Sequence, residues 1–264
     1  MAVVEIRRTA SLNKVPEVTL VFWIIKVLST TVGETGADYL AVHVGFGATW
    51  TDCIMLMLLA IALAIQLRTA RYVPWIYWLT VVLVSVVGTQ ITDALTDGMN
   101  VSLYVSTSVF GAALAATFAV WYGMERTLSI HTIVTLRRES FYWAAILCTF
   151  ALGTAAGDLA TEALGLGFNI GAIIFGTIIA AVTTTYFLGS NAVLCFWLAY
   201  IMTRPLGAAL GDLLSQSREY GGVGFGSIYT SIGFLTLIVV LVAFLSLDRR
   251  QAQSSSARLE TPLH

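Results

Sequence analysis

Four stretches of this chain lie over one another without a gap: FWIIKVLSTTVGETGADYL from Phe22, YWLTVVLVSVVGTQITDAL from Tyr77, YWAAILCTFALGTAAGDLA from Tyr142 and FWLAYIMTRPLGAALGDLL from Phe196. The shared pattern is an aromatic residue, Trp, nine residues, Gly, four residues, Asp. It fixes Trp23, Gly33 and Asp38; Trp78, Gly88 and Asp93; Trp143, Gly153 and Asp158; and Trp197, Gly207 and Asp212. From the abundance of Gly and Asp, a given Trp would meet both requirements by chance about once in 450, yet four of the seven do. Repetition on this scale means several copies of one supersecondary unit, each burying its apolar face against its neighbours.

The unit is helical and belongs in lipid. Hydrophobic residues make up 58% of the 264 and charged ones 11%, too little polar surface to cover a soluble globule of this length. Apolar runs near 17–43, 50–67, 73–95, 101–122, 141–163, 168–188, 191–214 and 226–247 approach or exceed the roughly 20 residues a helix needs to cross about 30 Å of hydrocarbon. The expected fold is therefore an all-α membrane protein of eight transmembrane helices, made of four parallel tandem two-helix repeats at about 17–67, 73–122, 141–188 and 191–247. Residues 1–16 read as a cytoplasmic N-terminal segment, and 248–264 as a disordered cytoplasmic tail. The first apolar run contains Lys26 and Glu34, so it reads as a retained helix and not as a cleaved signal.

Connections alternate in charge. One set carries Arg7, Arg8, Lys14, Arg68, Arg71, Arg126, Arg137, Arg138, Arg249, Arg250 and Arg258, while the other carries only Arg218. By the positive-inside rule both termini face the cytoplasm, and the expected location is an inner, cytoplasmic membrane. Because each copy crosses twice, all four enter in the same direction. Their aspartates then share one depth, near the outer ends of the odd-numbered helices: the 21 residues from Glu17 to Asp38 span about 32 Å.

With this motif the chain resembles a bacterial integral membrane protein family described as a repeat of unknown function, in which a two-helix unit bearing one tryptophan recurs four times. The resemblance covers about residues 15–247. It implies the eight-helix layout and no activity.

Positions four apart share a helix face. Lys26, Thr30, Glu34 and Asp38 form one stripe; the other copies give Val81, Ser85, Thr89 and Asp93; Ile146, Phe150, Thr154 and Asp158; and Tyr200, Arg204, Ala208 and Asp212. Within the spans, five acids (Glu34, Asp38, Asp93, Asp158 and Asp212) face two bases, Lys26 and Arg204. Ionised carboxylates at membrane depth need a counter-charge, which points to a small cation, a divalent metal ion included, exchanging with protons. The expectation is a proton-coupled cation transporter or exporter. Its ion-binding acids are the five named, with Glu34 and Asp38 as candidate metal ligands. Lys26 and Arg204 serve as charge partners or gates, and Thr30, Ser85, Thr89 and Thr154 as polar lining. The alternative is a non-transporting scaffold or sensor whose aspartates are satisfied by the protein. The motif glycines are expected to let helices approach closely, and the aromatic-Trp pairs to anchor at the membrane interface. No nucleophile, metalloprotease or phosphate-loop motif occurs, so neither an enzyme nor a cofactor is expected. The expected partners are the lipid bilayer, the cation and protons, with no role for nucleic acid.

Overall fold

A computed structural model describes residues 13–43 and 48–259; the side chains of 38, 40–43, 48, 250 and 252–259 lie outside the description. Among the described residues there are eight long α-helices and no strand. They are α1 (Leu20–His43), α2 (Ala48–Arg68), α3 (Pro74–Asp93), α4 (Leu103–Glu125), α5 (Leu136–Asp158), α6 (Gly167–Phe187), α7 (Ala192–Ser215) and α8 (Ser227–Leu259). All eight are long and apolar enough to cross a membrane. This is a multi-pass membrane protein. Within the expected tail beyond Asp248, the described helix α8 runs on to Leu259. Of the expected N-terminal segment 1–16, only 13–16 fall within the described residues.

The odd-numbered helices are the inner ones and the even-numbered helices the outer ones. α1 packs on α3, α3 on α5, α5 on α7 and α7 back on α1, closing a ring. Each even-numbered helix leans chiefly on the odd-numbered helix that follows it: α2 on α3, α4 on α5, α6 on α7, and α8 on α1. The packing unit is thus shifted by one helix from the unit that repeats in the sequence.

The motif glycine explains how the ring closes. At Gly33 an added Cβ would collide with Ser85; at Gly88, with Phe150; at Gly153, with Arg204; and at Gly207, with Thr30. These four partners occupy one equivalent position, seven residues after the motif Trp. Every copy therefore receives the same-numbered side chain of the next copy onto a bare Cα, and the fourth receives the first. Close approach without a hydrophobic driving force is what small residues provide between helices in lipid.

The aromatic residues do not form the interfacial belt expected of them. Trp78, Trp143 and Trp197 are buried, as are Phe22, Tyr77 and Tyr142. They pack edge-on or tilted against one another, as between Phe22 and Trp78 and between Tyr142 and Trp197. The preceding aromatic of each pair points inward between adjacent copies, and the Tyr77 and Tyr142 hydroxyls hydrogen-bond each other there. Aromatic area buried in this layer seals the ring on its basic side. Two indoles also hold the connections: Trp78 Nε1 donates to the Tyr72 hydroxyl at 3.1 Å, and Trp197 Nε1 to the Leu128 carbonyl at 2.9 Å.

Hydroxyl groups on the outer helices also return to their own backbone. On the lipid-facing α6, Thr177, Thr183 and Thr184 each donate to the carbonyl four residues back, which satisfies a polar group in hydrocarbon without a partner helix.

Candidate functional site

The centre of the ring is organised by Arg204, which is fully buried on α7. Its Nη2 donates to Glu34 Oε2 on α1 at 2.6 Å, to Thr154 Oγ1 on α5 at 2.6 Å and to Thr89 Oγ1 on α3. Glu34, Thr89 and Thr154 hold the same position in copies one, two and three, eleven residues after the motif Trp. The fourth copy has Ala208 there. A long cationic side chain reaching up from the preceding turn fills the room that alanine leaves. Thr89 and Thr154 donate their own hydrogens to the Ser85 and Phe150 carbonyls at 3.1 and 3.2 Å, so their oxygens are oriented to accept. One guanidinium thus ties all four copies together.

Next toward the motif aspartates, Glu34 and Asp158 lie within electrostatic reach of each other, and Asp93, Asp212 and Glu162 act on Asp158 as well. Asp93 and Asp158 are the last residues of their α-helices. Each is followed by a π-helical turn, Ala94–Gly98 and Leu159–Ala163, that carries a second acid, Asp97 or Glu162. A π-turn widens the helix and re-aims the side chains around it. Asp93 and Asp158 are half-buried, Asp212 is buried, and Asp97 and Glu162 are exposed. The acids therefore grade from solvent down to Glu34. Asp38 occupies the equivalent place on α1, and its side chain lies outside the described residues, so the Glu34–Asp38 metal pair rests on a group the structure does not describe. Among the described residues, no group of three or more His, Cys, Asp or Glu side chains is arranged to hold a metal ion.

Lys26 differs from what its sequence position implied. It was expected as the charge partner of an acid, yet its Nζ contacts no carboxylate among the described residues. It lies instead 3.8 Å from the centre of the Phe150 ring and 4.1 Å from that of Tyr200, almost wholly buried. The physical reason is register: Lys26 and Glu34 are two turns apart, about 12 Å along the axis, and Arg204 comes between them. Of the expected polar lining, Thr89 and Thr154 meet Arg204. Thr30 does not; it clamps α1 to α7 by donating to the Thr203 carbonyl at 3.2 Å and to its own Val27 carbonyl at 2.6 Å. Ser85 is buried against Gly33.

A second buried ion pair was not foreseen. Lys14 Nζ sits 2.6 Å from Glu139 Oε2 and also donates to the Leu67 carbonyl, while Gln66 Nε2 donates to Glu139 Oε1 at 2.9 Å. It joins the segment before α1 to the ends of α2 and α5. The available signal was Glu139 itself, an acid at the start of an inner helix that no other copy carries.

No curated protein and no solved structure matches the chain. A family profile described as Repeat of Unknown Function (DUF347) matches it at four places, residues 21–72, 76–127, 141–190 and 195–251. These segments cover most of the chain and contain the four motif copies whose aspartates and glycines build this centre, and the chain belongs to that family.

Proposed function

We propose that this protein carries a small cation across the membrane in exchange for protons, with Glu34 as the group for which the two compete. The supporting observation is that the deepest carboxylate of a graded acidic approach is occupied by a cation belonging to the protein, the Arg204 guanidinium at 2.6 Å. Arg204 is a tethered stand-in for the cargo. When a cation or a proton takes Glu34, Arg204 is left to its two threonine acceptors, and the four copies it joins are free to shift relative to one another. A buried ion pair of this kind is costly to break and so makes a two-position element, which alternating access requires. By the charge of its connections, the basic side with both termini faces the cytoplasm of a bacterial inner membrane and the acids face outward. The described centre is closed beneath Arg204 by the aromatic layer, so the cation would enter from the acidic end.

The scaffold reading draws on the same guanidinium, since a bond to three other copies also locks a static ring. Flux in proteoliposomes separates the two. Cation uptake and proton release are measured for wild type, Glu34→Gln and Asp158→Asn at matched reconstitution. The expected result is loss of both signals in Glu34→Gln and a weakened apparent affinity in Asp158→Asn. Wild-type flux in Glu34→Gln, or movement of no cation by the native protein, would reject transport and leave the scaffold.

A further inference from the structure

Trp23 is the one motif tryptophan that stays half-buried, whereas Trp78, Trp143 and Trp197 are buried. The reason lies in the outer helix beside it. At the seam between α5 and α7, α4 lays Phe118 and Trp121 edge-on against Trp197, with ring centres 4.8 and 5.9 Å away. At the seam between α7 and α1 the helix in the equivalent place is α6. Phe118 and Trp121 lie 40 and 43 residues after Trp78, and the residues 40 and 43 after Trp143 are Thr183 and Tyr186. Thr183 brings no ring, and Tyr186 is exposed and packs edge-on against Phe187. Trp23 keeps its contact with Phe196 at 5.7 Å, the counterpart of Trp197 on Tyr142 at 6.2 Å, without the outer pair. The result is a cavity of about 600 Å³ at the basic end of this seam, between α1, α6 and α7 and beside residues 128–131. Small-molecule sites commonly enclose about 300–1,000 Å³. Most of the wall is apolar. Thr19 and Ser129, also in the wall, accept from the Phe22 and His131 N–H groups at 3.3 and 3.4 Å, so each hydroxyl keeps a hydrogen to donate.

We propose that this cavity binds a planar aromatic molecule dissolved in the membrane, a quinone-type ring that turns a carbonyl oxygen toward Thr19 and Ser129. The protein itself shows what fits, because at the neighbouring seam the same place against the motif tryptophan holds two aromatic side chains. The cavity continues the aromatic layer that seals the ring, and its occupant completes that layer. A flat ring gains edge or offset contact with Trp23 and Phe196 that a saturated chain of equal volume does not. An electron-poor ring bearing a carbonyl suits both the indole face and the two hydroxyl donors. No acid lines the cavity, so the site stands apart from the cation step proposed above.

The test uses the full chain in detergent, with thermal unfolding followed by near-ultraviolet circular dichroism. The probe is a dimethylated naphthoquinone, whose blocked ring carbons do not take up the Cys195 thiol in the cavity wall. Decalone, a saturated bicyclic ketone, and palmitate are the comparisons. Binding to the folded state raises the midpoint saturably by a few degrees. The expected result is that rise with the naphthoquinone alone, retained in phospholipid nanodiscs where acyl chains compete in excess. Thr183→Phe sets a ring where α4 carries Phe118; it should raise the midpoint without the probe and remove the response to it. Trp23→Leu should remove the response without that gain. An equal rise with palmitate, or loss of the rise in nanodiscs, would make the cavity an acyl-chain groove and overturn the aromatic site. No rise in the native protein, or an unchanged response in both variants, overturns it as well.

Discussion

Gly207 takes the Thr30 side chain against its bare Cα, so the last copy of the repeat seats the first in the same way that Gly33 seats Ser85. The ring is closed by the contact that builds its other three sides, and the glycines are equivalent in role as well as in sequence.

Adding one methyl at any of these four positions should therefore be destabilising. Gly207→Ala and Gly88→Ala are expected to lose about 1–3 kcal/mol or more through overpacking. Gly233→Ala on α8, where nothing lies within 4 Å of the added atom, is the control. Thermal unfolding of the purified variants checks this, and a Gly207→Ala protein as stable as Gly233→Ala would contradict it.

The Arg204–Glu34 pair should show strong coupling. Arg204→Met leaves a buried carboxylate without its counter-ion, at a cost of about 3–5 kcal/mol. Arg204→Met combined with Glu34→Gln removes both charges and should recover most of that loss. A double-mutant cycle on unfolding free energy measures the coupling; additive losses would mean that the two groups do not interact.

On the basic side, Glu139→Gln weakens the hold on Lys14 and so on the segment before α1. Limited proteolysis should then cut around residues 13–16 faster than in wild type, with the ring helices protected as before. Lys14→Met is expected to be worse, since it strands a carboxylate that is 1% exposed. Unchanged cleavage in Glu139→Gln would show that the ion pair does not anchor the segment.

Tyr72, in the connection before α3, provides a pH signature. Burial raises its pKa, outweighing the lowering by the Trp78 hydrogen bond and by the Arg249 charge. The unfolded chain releases this proton near pH 10 while the folded chain keeps it, so the contribution is intact below that pH and stability falls as pH rises above it. Urea unfolding between pH 8 and 11 should show a shallower decline in Tyr72→Phe than in wild type. Identical slopes would remove Tyr72 as a source.

Much of this architecture is legible in the residues, because the helix length lipid requires and the period of a repeat both leave direct marks on sequence. The span from Leu103 and the motif from Trp23 to Asp38 needed no tertiary information. The stripe through Thr89 and Thr154 likewise led to the polar centre, since positions four apart share a helix face. What could not be read is which face meets which neighbour. Lys26 and Glu34 share a face, yet Arg204 from a helix some 170 residues away in sequence comes between them, and Lys26 ends on two aromatic rings. The tryptophans looked like interfacial anchors because depth was legible and burial was not. Glu139 and Lys14 carry no mark of each other in the sequence; the fold alone brings them together.

Because α8 rests on α1, α1 leaves the ribosome long before the helix that covers its outer face. Lys26 and Glu34 emerge early and Arg204 late, so through most of synthesis the bilayer holds an acid whose counter-charge has not yet been made. Arrival of α7, not local insertion, neutralises that acid, and a product stalled before α7 would present an unpaired carboxylate to whatever surveys the membrane for unfinished proteins.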